Sequence, residues 1–268
     1  MTEHAVITGG SSGIGLAIAK LLASRGIAIS LIARNRDKLA AAQAAVLAAA
    51  TGAAEVQSFS ADVRDAADLK QAVESASASF GTPSWAISSA GIVLPGLFAT
   101  QTLSDHECQW RTNYLGSLQF AHFMFPYLAK SGQGKLVLIA SGAAFAGIYG
   151  YSSYGPTKFA VRGLAESLRV ELKPHNVSVT IAFPGDTDTP QWRAELLARP
   201  KVTSQLANGG GVLSSDAVAK GIVAAADRGD FDVTFGWQLR LLGRTHSLIG
   251  PLLRHYQDWL VRRAGEPT

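Results

Sequence analysis

Near the start of the chain an uncharged run at 5–8 (AVIT) leads without a break into TGGSSGIG, Thr8 to Gly15, and then into a helical pattern at 16–24. A buried strand that ends in a glycine-rich turn and resumes as a helix is the opening of a βαβ unit, so a parallel partner strand must follow. The rest of the sequence repeats the theme. Apolar, β-rich runs at 28–33 (AISLIA), 56–60, 85–89 (WAISS), 135–140 (KLVLIA) and 177–183 (VSVTIAF) alternate with helical patterns at 36–50, 67–80, 105–130 and 153–173. Continuous apolar strands between helices imply a parallel sheet covered on both faces. The alanine tract inside 36–50 reads as a packed surface helix. With no internal repeat and no Pro-, Ser- or Gly-rich linker, the expectation is one doubly wound α/β domain.

Composition narrows the function. Hydrophobic residues make up 47% of the chain and charged ones 16%, which excludes a disordered or acidic-tail protein. A formal charge of +4 over 268 residues is too small to argue for nucleic acid. The single cysteine, Cys108, excludes an internal disulfide, and no Cys/His cluster has metal-ligand spacing. Its setting, Asp105-His106-Glu107-Cys108, reads as a partly buried thiol on a polar helix, and no metal is expected. The N-terminus reads as no secretory signal, so a reducing cytoplasm is the expected compartment.

Three groups of residues carry chemistry. Gly9, Gly13 and Gly15 are placed where backbone must turn tightly, approach a pyrophosphate and pack a helix on a strand. The next helix then aims its free N–H groups at the phosphates. Glycine is common here, 27 of 268 residues, and the loop gains weight from its place between first strand and first helix.

About 20 residues past the glycines, NAD-binding chains of this architecture carry an acid for the ribose hydroxyls. This chain has Arg34, with Arg36 and Lys38 beside it. A guanidinium matches a 2′-phosphate in charge and fork geometry, so NADPH rather than NADH is the expected cofactor. A solvated basic turn is the alternative.

The third group is Ser141, Tyr154 and Lys158. Of six tyrosines only Tyr154 has a lysine four residues on, on one face of a helix. A nearby ammonium lowers a phenol's pKa and makes it a usable acid or base. Ser141 ends an apolar strand at the edge where α/β sheets bind ligands, and its hydroxyl suits a carbonyl oxygen or a local cap.

Taken with Asp62-Val63, Asn113 and Pro184-Gly185, these residues resemble the short-chain dehydrogenase/reductase family over about residues 4–190. The resemblance implies a Rossmann-type fold with Tyr154 as proton donor and Ser141 orienting a carbonyl. It implies that Lys158 lowers the tyrosine pKa and grips the nicotinamide ribose, and that Asn113 supports a water-linked proton relay. Asp62 would contact the adenine and Thr189 the carboxamide or phosphates. Thr8, Ser11, Ser12, Ile14, Val63, Ala90, Gly91, Pro184, Gly185 and Thr187 complete the implied cofactor site. One departure is Ser88-Ser89-Ala90-Gly91, where the family usually has N-N-A-G or N-A-A-G.

Within the family, N-Y-L-G-S at 113–117, K-F-A-V-R-G-L-A-E-S-L at 158–168 and P-G-D-T-D-T-P at 184–190 resemble the 3-ketodihydrosphingosine reductases. That resemblance implies NADPH-dependent reduction of 3-ketosphinganine, an apolar long-chain ketone, to sphinganine. Reduction of a 3-oxoacyl or steroid-like ketone, and NADP binding without turnover, are the alternatives. D-T-D-T-P also reads simply as a helix start capped by Asp188 or Thr189. The family further implies a helical substrate lid at about 190–215, carrying Trp192, Leu196, Leu197 and the glycines 209–211, and a homodimer or tetramer built on the long helices after Asp105 and Ser153.

From 237 the composition shifts, giving a catalytic domain at 1–236 and an amphipathic segment at 237–268. The segment holds five arginines and two acids, whereas 1–236 hold 19 basic and 18 acidic residues. Leu248, Ile249, Leu252, Leu253, Tyr256, Trp259 and Leu260 fall at one-face helical spacing. A basic amphipathic end suits either a membrane interface or a subunit partner, and a lipid substrate favours the membrane. The expectation is a cytoplasmic protein, peripheral on the cytoplasmic face of a membrane.

Overall fold

The computed structural model describes residues 3–52, 54–207 and 210–264. Its strands are β1 (His4–Thr8), β2 (Ala28–Ala33), β3 (Val56–Ser60), β4 (Trp85–Ser88), β5 (Gly134–Ile139), β6 (Val177–Phe183), β7 (Thr187–Asp188), β8 (Leu213–Ser214) and β9 (Asp232–Thr234). Seven form one parallel sheet in the order β3-β2-β1-β4-β5-β6-β9, and β7 and β8 pair separately. The six runs read as strands are all there. The seventh, β9, is three residues at the sheet edge with an exposed acid, and nothing in its composition marks it as a strand.

The helices are α1 (Gly13–Ala23), α2 (Arg36–Leu47), α3 (Ala66–Ser79), α4 (Leu103–Gln109), α5 (Gly116–Ser131), α6 (Gly155–Glu171), α7 (Pro190–Leu196), α8 (Lys201–Ala207), α9 (Ser215–Arg228) and α10 (Trp237–Ala264). Helix starts are set locally by capping. Asn35 accepts the Lys38 N–H at 2.8 Å, and Asp65 accepts those of Ala67 and Asp68. Asp105 is spent in a capping box with Thr102, and Cys108 Sγ takes a 3.7 Å contact from Arg64.

Two apolar layers hold the sheet. Ile18, Leu22, Leu39, Val46, Ile222 and Val223 of α1, α2 and α9 cover one face. Leu69, Val73, Phe120, Met124, Leu128 and Val161 of α3, α5 and α6 cover the other. The chain builds outward from β1 to β3, then returns to β4 and builds the other way. The crevice between the carboxyl ends of β1 and β4 is therefore the switch point where such sheets bind ligands.

The helix expected at 105–130 is divided. Between α4 and α5 the backbone opens into a π-helical turn, Trp110–Leu115. Thr112 Oγ1 bonds the Cys108 carbonyl at 2.8 Å there, and the turn carries the buried Asn113. Such bulges gather at functional sites. At the far end α10 runs unbroken through Gly250 and Pro251.

Candidate active site

A cavity of about 700 Å³ opens at the switch point, between the glycine loop, the ends of β4 and β5, and α7, α8 and α10. Its floor is tight backbone. Gly9 has φ +67°, and a Cβ there would stand 2.7 Å from the Ala90 nitrogen. Gly13 has φ +55°, and its Cβ would press the Thr189 methyl at 3.1 Å. Ser12 precedes α1 in extended backbone with no side-chain cap, which leaves first-turn N–H groups for an anion. This is a phosphate cradle by chemistry, and a bulkier residue would fill it. Ser11, Ile14, Ala90, Gly91, Pro184 and Gly185 also line the cavity. Gly15 packs beneath, against the Gly9 carbonyl, and Thr8 Oγ1 receives the Ala90 N–H at 3.5 Å.

At the end of β2, Arg34 and Lys38 line the cavity and Arg34 is half exposed. Arg36 lies elsewhere, in a separate hollow with Gln43, Ser58 and Asp68, because the first turn of α2 rotates it away. Asp62 is held by Arg64, whose Nε and terminal nitrogen donate to it at 2.9 and 2.6 Å, and its carboxylate is not in the cavity wall, whereas Val63 is. Burial raises the Asp62 carboxyl, but the Arg64 hydrogen bonds and the nearby Arg34 bring it below its usual range.

Across the cavity, Ser141 follows β5 and caps the short turn Gly142–Ala144, accepting the Ala143 N–H at 3.2 Å. Tyr154 stands at the N-terminus of α6 with Lys158 one turn on, and both side chains line the cavity. Lys158 Nζ donates to the Ile139 carbonyl at 3.0 Å and lies 5.7 Å from the Tyr154 ring centroid. Burial lowers the ammonium to about 8. Burial also pushes the phenol above its ordinary value, with the neighbouring Ser141 hydroxyl opposing. Desolvation is the largest influence on this phenol in the protein without cofactor.

Asn113 is fully buried behind the cavity. Its amide donates to the Ile92 carbonyl at 2.9 Å and to Thr157 Oγ1 at 3.1 Å, and its oxygen accepts the Ile92 N–H at 2.8 Å. The side chain thereby braces the end of β4 against α6. The unusual Ser88 bonds Ser117 Oγ at 3.0 Å, which in turn bonds the Asn113 carbonyl at 2.7 Å, so the serine serves this brace. D-T-D-T-P does start a helix, Thr189 Oγ1 capping α7 through the Trp192 N–H at 3.1 Å, and Thr187 and Thr189 also line the cavity.

A charged cluster in the cavity wall escaped the sequence reading. Arg199 forks onto Asp186 at 2.7 and 2.9 Å and onto Glu195, and Glu195 also accepts the Tyr151 hydroxyl. The Arg199 side chain is 2% exposed. Glu195 and Arg199, four apart across the end of α7, were the legible part of it. In the stretch read as a lid, Trp192 and Leu206 line the cavity while Leu196 and Leu197 are exposed, and Gly209 lies outside the described residues. Residue 236 is no boundary for the site, because Gln238, Leu239 and Leu242 of α10 also line it.

Comparison with known proteins agrees with this geometry. The family model described as short chain dehydrogenase matches residues 3–199. A 3-dehydrosphinganine reductase of Danio rerio is 35% identical over 235 residues, 87% of this chain and 71% of that protein. A 3-ketodihydrosphingosine reductase of Dictyostelium discoideum is 33% identical over 97% of this chain and 82% of its own length. A short-chain dehydrogenase from Sphingobium yanoikuyae, solved in complex with NADPH, superposes with a TM-score of 0.78 at 28% identity over 96% of both chains. A parallel sheet with a glycine cradle on one side of its switch point and a buried Ser-Tyr-Lys cluster on the other therefore has a family, and this chain belongs to the short-chain dehydrogenases.

Proposed function

We propose that the protein reduces a long-chain ketone to a secondary alcohol with NADPH, and that the ketone is 3-ketosphinganine. The observation that carries the reading is the convergence of Ser141, Tyr154 and Lys158 on a cavity that runs from the glycine loop to an apolar wall of Ile148, Trp192, Leu206, Leu239 and Leu242. Bound NADPH supplies the hydride. The cradle at 9–15 would hold its pyrophosphate, Arg34 and Lys38 its 2′-phosphate, and Lys158 its nicotinamide ribose. Ser141 orients the carbonyl oxygen. Tyr154 delivers the proton to that oxygen, and a phenol held above its ordinary pKa stays protonated at neutral pH, as a donor must. The names of the relatives and the D-T-D-T-P run support the sphingoid substrate.

The C-terminal helix supports a location. Trp237, Leu241, Leu248, Leu252 and Trp259, spaced four and seven apart, are exposed on one face of α10. Arg240, Arg244, Arg254, Arg262 and Arg263 are exposed beside them, with no acidic partner among the described residues. No helix among the described residues is long and apolar enough to cross a membrane. A helix lying in an anionic interface on the cytoplasmic face satisfies both stripe and charge. Exposed Leu103, Trp110, Phe159 and Val170, on and around the long helices, support assembly into a dimer or tetramer.

The deciding assay is NADPH consumption with 3-ketosphinganine beside 3-oxoacyl thioesters and steroid ketones. The sphingoid ketone should be preferred, and preference for a thioester would replace the substrate reading. Tyr154→Phe should lose at least about a hundredfold in kcat while still binding NADPH.

A further inference from the structure

The network beyond Tyr154 holds two carboxylates and one guanidinium. Asp186 and Glu195 both pair with Arg199, which leaves one negative charge without a partner in a largely desolvated wall of the cavity. Buried charges are retained when something neutralises them, and no second cation stands within ion-pair distance of either carboxylate among the described residues. Tyr151 and Arg199 both engage Glu195 through Oε1. The network abuts the reacting end of the cavity: Tyr151 packs edge-on against Tyr154 with ring centroids 5.3 Å apart.

We infer that Glu195 is the counter-ion for a cationic group on the substrate next to its ketone, an ammonium one carbon from the carbonyl. This rests on the substrate reading above, since 3-ketosphinganine carries a primary amine on the carbon adjacent to the ketone. A carbonyl docked on Tyr154 and Ser141 brings that nitrogen toward the wall that Tyr151 and Glu195 form. Arg199 and Tyr151 hold the carboxylate still, and Arg199 also ties α7 to the Asp186 loop. The excess negative charge then selects an amino ketone over an equally long ketone without the amine, which brings no second cation to the two carboxylates that share Arg199.

The test is the ratio of kcat/KM for 3-ketosphinganine to that for 1-hydroxyoctadecan-3-one, measured on the full chain with saturating NADPH. Wild type should favour the amino ketone, and Glu195→Gln should cut the ratio by about tenfold or more, the worth of a charge-assisted bond. Glutamine keeps an acceptor for Tyr151 and Arg199, and a ratio is insensitive to any general loss of lid order. An unchanged ratio in Glu195→Gln assigns the residue to lid structure alone and overturns the inference. Equal reduction of both ketones by wild type overturns it without any variant. If wild type reduces neither but accepts other apolar ketones, the substrate reading itself has failed, a distinct outcome.

Discussion

Lys158 shows how a single side chain trades stability for chemistry. In the folded protein its ammonium loses the proton at about 8, against 10.5 for an unperturbed lysine. Between those values the unfolded chain holds more protons, so stability rises as pH climbs through that window. Below about pH 8 the whole penalty of burying the cation is present, on the order of 3 kcal/mol. Lys158→Met removes the penalty and loses the hydrogen bond to Ile139, so cofactor-free protein should gain about 2 kcal/mol at pH 7. Urea unfolding at pH 7 and pH 10 checks this: the gain should shrink at the higher pH and turnover should vanish at both. A variant no more stable than wild type at pH 7 would show that the burial costs nothing. Not every residue in the site was as legible. Tyr154 and Lys158 could be found because their partnership is local, four apart on one helix. Arg36 could not be set apart from Arg34 and Lys38, because the turn that starts α2 at Arg36, invisible in composition, puts it in a separate hollow.

Among the elements, α10 has two apolar sides with different work. Leu239 and Leu242 face the cavity, and Leu260 is buried. Leu248 and Leu252 are 81% and 72% exposed. A truncation at 236 would therefore confound membrane binding with loss of the cavity wall. Replacing only Leu248 and Leu252 by glutamine separates them. Cosedimentation with vesicles containing phosphatidylserine should weaken by at least about tenfold, since each leucine contributes roughly 1.5–3 kcal/mol on burial. Wild-type binding should itself weaken with added salt. Retention of the double variant on vesicles would end the interfacial reading. The helix was legible as amphipathic, but a single hydrophobic stripe was expected. Local periodicity does not say that the surface beneath is the lip of a site.

For the molecule as a whole, α9 and β9 close the sheet and were not foreseen. The buried face of α9, Val218, Ala219, Ile222, Val223 and Ala226, recurs at helical spacing and packs against the layer of α1, so this last unit was readable although it went unread. Ile222 is wholly buried, and Ile222→Ala should cost 2–5 kcal/mol in urea unfolding without altering the denaturant slope. A cost below about 0.5 kcal/mol would mean the last βα unit is not part of the cooperative core. By contrast the strands inside the sheet, such as β2 and β6, were legible because burial on both faces leaves a largely apolar signature, whereas β3 is partly exposed at the edge. The shared direction of those strands has a practical corollary for anyone attaching the protein to a surface. All seven start at one edge and end at the cavity, so His4 stands about a strand's length, roughly 16 Å, from the opening. A tether or fluorophore joined at the amino end hangs below the enzyme and leaves the mouth clear.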